Sequence, residues 1–260
     1  MQKKGVLVTS SVGHSGTRLI VEMLGKHTDV FYPKERLNHV NEHDFLHQFF
    51  LEKIKNTPIN KELKIENYEE LEFLLNMYGK GHNPGQAMLL KLPFYPLCCL
   101  DSLDEYFDDF KIIYLNRKID NVLKSFLDRN EDQHFWGNAA KRYESIKMLG
   151  LKDRELLMNE PRFENFIKSF PTYGEKKIKE FESSKKENTN KILQVQVESI
   201  SNSIDEILLI FKFLGLKVDN QFLMELKGMI NPQRLQRSKS FETKKRIKNH
   251  LRKIYHKLKK

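Results

Sequence analysis

Cysteine is almost absent. The 260 residues hold two, Cys98 and Cys99, and these are adjacent. Without a second pair the chain can build neither a disulfide framework nor a zinc cage, so buried thiols in a reducing compartment are expected. Long apolar runs are missing as well. Stretches such as 207–211 stop after a few residues, far short of the roughly 20 that span a bilayer. Val6-Leu7-Val8, behind Lys3-Lys4, is too short for the apolar part of a secretory signal and reads as a strand. A soluble, cytoplasmic protein is expected. There is no internal repeat and no low-complexity linker. Most of the chain also lacks an excess of charge. Of the 45 Lys and Arg, 12 lie in residues 231–260 beside one of the 35 acids, Glu242, which leaves 33 basic and 34 acidic side chains in the other 230 residues. The net +10 therefore belongs to the tail, and a globally basic nucleic-acid binder is excluded.

The composition supports a folded core. Hydrophobic residues make up 39% and aromatics 11%, with 18 Phe, and a chain of this length buries roughly three quarters of its unfolded surface. Short apolar runs alternate with helical patterns, which predicts a three-layer α/β sandwich with a central parallel sheet. Strands are expected at 5–9, 88–92, 111–115 and 191–197. The first three are near-continuous apolar runs, as in strands buried on both faces, whereas Gln194 and Gln196 interrupt the fourth. Helices are expected at 44–55, 66–78, 101–107, 120–129 and 205–214, the last ended by Gly215. A helical insertion is expected at about 138–181, broken at Pro161 and Pro171, with an exposed loop at 182–190. One α/β domain over 1–230 and a basic tail over 231–260 follow.

The most informative segment is the first strand and its sequel, Val6-Leu7-Val8-Thr9-Ser10-Ser11-Val12-Gly13-His14-Ser15-Gly16-Thr17-Arg18-Leu19-Ile20. An apolar strand runs into a loop of small residues and then into an apolar helix. Gly13 and Gly16 permit positive φ and close backbone approach. Successive amides and a helix N-terminus then make a nest for an anion, with hydroxyls from Ser15 and Thr17 and charge from His14 and Arg18. The loop has no G-x-x-x-x-G-K-[ST], so the lysine and hydroxyl of an ordinary ATPase are missing, and it has no G-x-G-x-x-G of a dinucleotide site.

Gly13-His14-Ser15-Gly16-Thr17 resembles the loop of the sulfotransferases, where a basic residue followed by Ser-Gly-Thr holds the 5′-phosphosulfate of 3′-phosphoadenosine-5′-phosphosulfate (PAPS). A second segment resembles that family independently: the apolar run 110–115, then Asn116 and Arg117, with Ser125 eight positions later. The resemblance implies that Arg117 and Ser125 converge on the 3′-phosphate. Weaker likenesses are Lys91-Leu92-Pro93, Val197-Glu198-Ser199-Ile200 and Phe213-Leu214-Gly215-Leu216. His14 stands where the family usually has Lys or Arg, and Asn121 where the second motif usually has Asp. Leu19 stands where an aromatic residue usually follows the loop, which leaves Phe135 or Trp136 for the adenine.

The resemblance implies a P-loop-like fold and in-line sulfuryl transfer from PAPS, with 3′-phosphoadenosine-5′-phosphate (PAP) as product. Donors would be the amides of residues 14–18 with Ser15 and Thr17; cations would be His14, Lys91 or Arg18. Sulfate carries less charge than a phosphoryl group, so no metal is expected. Glu35 resembles the carboxylate base of some branches of the family, with His39 and His14 as rivals. Arg234 and Arg237 stand where a late basic loop would close the 3′-phosphate site. The acceptor would be a small molecule or a glycan.

In the tail, Ile247, Leu251, Ile254 and Leu258 form one stripe of a basic amphipathic helix. Packing against the body is the plain expectation, and peripheral contact of residues 241–260 with an anionic surface is the alternative. No specific nucleic-acid partner is expected. Two other readings of the chain remain: a nucleotide or metabolite kinase with an unusual loop, and a nucleic-acid- or membrane-binding protein acting through its tail.

Overall fold

The run Lys4-Gly5-Val6-Leu7-Val8-Thr9-Ser10 forms strand β1 (Lys4–Ser10), buried along all but its first residue. A strand so apolar on both sides needs a layer on each face and a neighbour on each edge. It has them. Strand β3 (Ala87–Lys91) pairs with it on one side and β4 (Asp109–Asn116) on the other, both parallel. The structure is a computed structural model and describes residues 3–10, 16–32, 68–91, 97, 100–122, 163–185, 190–200 and 203–230.

The remaining elements are α1 (Thr17–Leu24), β2 (Val30–Phe31), α2 (Tyr68–Tyr78), α3 (Leu100–Tyr106), α4 (Phe163–Ser184), β5 (Ile192–Gln196), α5 (Val197–Ile200), α6 (Ile204–Leu214) and α7 (Asn220–Met229). The five strands run parallel in the order β2-β3-β1-β4-β5. The chain thus crosses from β1 to the edge strand β2, returns to β3 beside β1, and then builds β4 and β5 outward on the other side. This is the three-layer parallel architecture that the alternating pattern predicts.

One face of the sheet, with Val6, Val8, Leu89, Ile113, Leu115 and Val195, packs with Ile20, Val21 and Leu24 of α1 and Ile207, Ile210 and Phe211 of α6. On α2, the spacing of buried Leu71, Leu75 and Tyr78 makes a single stripe, and the Tyr78 hydroxyl donates to Leu89 O at 2.8 Å. Tyr106 of α3 donates in turn to Asn76 Oδ1 of α2 at 2.7 Å.

Helix α6 has a complete set of local signals. Ser203 caps it, accepting from Asp205 N at 3.0 Å, and Asp205 and Glu206 lie in its first turn. Gly215 ends it with φ +71°, and Leu216 N closes back on Phe211 O at 2.9 Å. Lys111 of β4 donates its Nζ to Phe213 O at 2.9 Å, which puts a cation at the helix's carbonyl end.

Three features depart from the sequence pattern. Helix α4 runs through position 171 to Ser184, so Pro171 does not end it and the expected loop starts later. A proline removes one hydrogen bond, and a 22-residue helix with Ile178 and Phe181 buried absorbs that loss. Strand β2 has two residues, too few to show any alternation. Helix α7 buries only Leu226 fully, so no apolar stripe announces it. It is held instead by Asp219, which accepts from Phe222 N at 2.7 Å, and by a Lys26–Glu225 ion pair. The expected helix at 44–55, most of the one at 120–129, the insertion up to 162 and the whole tail lie outside the described residues. No described helix is long and apolar enough to cross a membrane.

Candidate functional site

In an open parallel sheet, ligands bind outside the carboxyl ends of the strands, where the chain reverses its direction of winding. Here that place lies around β1, between β3 on one side and β4 on the other. The register fixes which residues reach it. Ser10 is level with Leu115, Lys91 with Val8, and Asn116 with Gln196 of β5. Thr9 and Ser10, fully buried at the end of β1, lead into the loop.

Gly16 opens α1. Its φ of +82° is left-handed, and a Cβ there would lie 3.0 Å from Val197 Cγ1, so two independent constraints favour glycine. Having no side chain, Gly16 offers the helix no cap, and the first turn carries no acid. The half-buried Thr17 follows, with its hydroxyl in the first turn. Such an N-terminus suits an anion supplied from outside. Arg18 lies on the exposed side of α1, where its Nε pairs with Glu22 Oε1 at 2.6 Å, so its backbone amide is what it offers the loop.

Lys91 is the last residue of β3 and is buried, at 8% exposure. A buried ammonium is costly unless its surroundings compensate, so its position at the carboxyl edge is chemically specific. Arg117 is half-buried immediately beyond β4. The next turn is helical from 119, with Asn121 N and Val122 N both donating to Lys118 O.

That turn is tied to α5 by a contact the sequence did not announce. Glu198 Oε1 accepts from Asn121 Nδ2 at 2.6 Å and from Lys118 N at 3.1 Å, and Oε2 accepts from Gln196 Nε2 at 2.7 Å. Burial pushes the Glu198 carboxyl up. The hydrogen bonds from Asn121, Gln196, its own backbone amide and the Lys118 amide outweigh this and hold it below the ordinary range. An aspartate at 121, which the family resemblance leads one to expect, would set two carboxylates against each other. Asparagine donates instead.

Beyond β2, burial and the nearby Glu22 carboxylate push the Tyr32 hydroxyl up to about 12, against the opposing pull of Arg18. It stays protonated at neutral pH.

Of the residues expected from sequence, the structure therefore brings Gly16, Thr17, the Arg18 amide, Lys91 and Arg117 to the carboxyl edge. Gly13, His14, Ser15, Glu35, His39, Ser125, Phe135, Trp136, Arg234 and Arg237 lie outside the described residues. Glu198 lay within a segment whose likeness was visible in the sequence, but with no role attached. Its one signal was the unexpected Asn121.

No family model and no curated protein matches the sequence. Solved structures do. A sulfotransferase from Alicyclobacillus acidocaldarius is similar at TM-score 0.52 and 12% identity, over 89% of this chain and 93% of that one. The sulfotransferase domain from the curacin biosynthetic pathway is similar at TM-score 0.48 and 18% identity, over 85% and 77%. The sulfotransferase domain of the Synechococcus PCC 7002 olefin synthase is similar at TM-score 0.47 and 19% identity, over 92% and 85%. The Alicyclobacillus likeness, which spans nearly all of both chains, agrees with the five-stranded parallel sheet and its flanking helices: this chain has a sulfotransferase-like fold.

Proposed function

We propose that this protein is a sulfotransferase that moves a sulfuryl group from PAPS to a hydroxyl or amine of a small-molecule or glycan acceptor, releasing PAP. The observation that carries this reading is the convergence, at one switch point of a sulfotransferase-like fold, of a glycine-opened helix N-terminus, a buried lysine and a strand-end arginine. The cradle fits a phosphosulfate. Any side chain at Gly16 would meet Val197, and no acid in the first turn competes for the amides.

The donor contributes an activated sulfuryl group, whose S–O bond to phosphate breaks as a new S–O bond to the acceptor forms. The chain's residues do the rest. The amides from His14 to Arg18, with Ser15 and Thr17, hold the 5′ end, while Arg117 and Ser125 hold the 3′-phosphate, with Arg234 and Arg237 closing over it. Lys91 and His14 offset the charge that grows on the leaving phosphate oxygen. Glu35 takes the acceptor's proton, so charge is conserved as PAP leaves. The body, 1–230, carries this chemistry in the cytoplasm with Arg234 and Arg237 of the tail, whose residues 241–260 pack against the body or make peripheral contact with an anionic surface.

Calorimetry with PAP tests the reading. Wild-type protein binds it, and Arg117→Ala weakens binding roughly 10- to 100-fold through loss of charge-assisted hydrogen bonds. Failure of the wild type to bind below millimolar PAP, or Mg²⁺-dependent ATP turnover in its place, overturns the reading.

A further inference from the structure

The short helix α5 reaches both arms of the site with consecutive side chains. Val197 fills the space beside Gly16, at 3.0 Å from where a Cβ would lie. Glu198 accepts from Lys118 N and Asn121 Nδ2, the turn that follows Arg117. The helix itself cannot drift. Val197 and Ile200 are buried in the core, and the Ser199 hydroxyl donates to Gln196 O at 2.7 Å, at the end of β5.

We infer that Glu198 is a positioning residue, which holds the Arg117 turn in a fixed relation to the Gly16 cradle so that both arms meet one bound anion. This rests on the nucleotide reading above. Both carboxylate oxygens of Glu198 are engaged by the protein, Oε1 by the turn and Oε2 by Gln196, so it acts on a ligand through Arg117 and not by contact. The carboxylate also suits the task electrically. Held in its charged form, it draws in the Lys118 amide and the Asn121 side chain together, and both belong to the turn that follows the arginine. A ligand group gripped at two ends loses affinity steeply when one grip moves by an ångström.

The test uses the full chain and PAP itself, with thermal melts alongside. Glu198→Ala and Asn121→Ala are each expected to weaken PAP binding about tenfold, the scale of coupling between residues in one hydrogen-bonded network. In an Arg117→Ala background, adding Glu198→Ala is expected to change PAP affinity less than about twofold, because the residue acts through that arm. A merely structural role would lower the melting temperature and weaken binding alike in both backgrounds, and that result overturns the inference. So does unchanged affinity in both single variants. If Glu198→Ala does not fold, Asn121→Ala, which leaves the carboxylate and its Lys118 bond in place, decides the question. Failure of the wild type to bind PAP overturns the nucleotide reading itself, a result distinct from PAP binding that depends on Arg117 but not on Glu198, which overturns only this inference.

Discussion

Gly16 and Val197, 181 positions apart, are close enough that a single carbon added to the glycine would sit 3.0 Å from the valine's Cγ1. The glycine also holds φ at +82°, a conformation that costs other L-residues about 1–2 kcal/mol. Gly16→Ala is therefore expected to lower stability by about 2 kcal/mol in urea denaturation, from the backbone and the contact together. In a double-mutant cycle with Val197→Ala the two losses should be less than additive, since the smaller side chain gives the new methyl room. Full additivity would mean that the two residues do not touch.

His27 joins three elements. Its Nδ1 accepts from Asp29 N at 3.1 Å, which leaves the proton on Nε2 to be donated to Lys217 O at 2.9 Å. Its ring lies edge-on to Phe222, with centroids 5.3 Å apart, and tilted against Phe211 at 5.9 Å. His27→Ala removes both hydrogen bonds and opens a gap between α1, α6 and α7, and should destabilise the protein by roughly 3 kcal/mol. Protection of α7 amides from hydrogen exchange is the sharper measurement. It should fall more than protection of β1 or β4, because α7 buries little apolar surface of its own.

Asp104 makes a staple at the opposite end of the sheet. Its two oxygens take Lys185 at 2.9 Å and Lys191 at 2.5 Å, and Lys185 reaches Asp101 as well. Burial pulls the Lys185 ammonium down, but the hydrogen bonds and charges of Asp104 and Asp101 more than compensate and hold it above its ordinary range. The Asp104 side chain is nearly buried, at 9% exposure, so this pairing is screened less than a surface ion pair. Asp104→Asn is expected to cost roughly 1–3 kcal/mol in chemical denaturation, while Asp101→Asn, at an exposed carboxylate, costs less than about 1 kcal/mol. Equal effects at the two positions would show that burial does not set the difference.

The sheet was legible because its central strands are buried on both faces. Val6-Leu7-Val8 and Met88-Leu89-Leu90 could hardly serve elsewhere. The Gly215 stop was legible because a helix end is a local event. What escaped has a physical reason in each case. The two residues of β2 pair through their backbones with Ala87 and Met88, which leaves no mark on side-chain pattern. Helix α7 is placed by a cap and an ion pair more than by an apolar face. At the carboxyl edge, the positions of Gly16 and Arg117 were legible because each follows its own strand. The Glu198–Asn121 contact could not, since it joins residues 77 positions apart and puts an asparagine where a motif would place an acid.

That contact also sets a pH dependence, and its sign follows from the direction of the shift. Glu198 is held below the ordinary carboxyl range in the folded protein, so at mildly acid pH the unfolded chain binds a proton there that the folded one does not. The stabilisation is fully present above the unfolded value of about 4.3 and is lost as pH falls through the folded value. Glu198→Gln cannot titrate. Thermal melts from pH 7 down to about 3 should show the wild type's advantage over Glu198→Gln narrowing as acid is added. A gap that stays constant with pH would mean that the carboxylate's charge contributes nothing beyond the shape of its side chain. A gap that widens toward acid would reverse the sign and require Glu198 to be protonated in the folded protein.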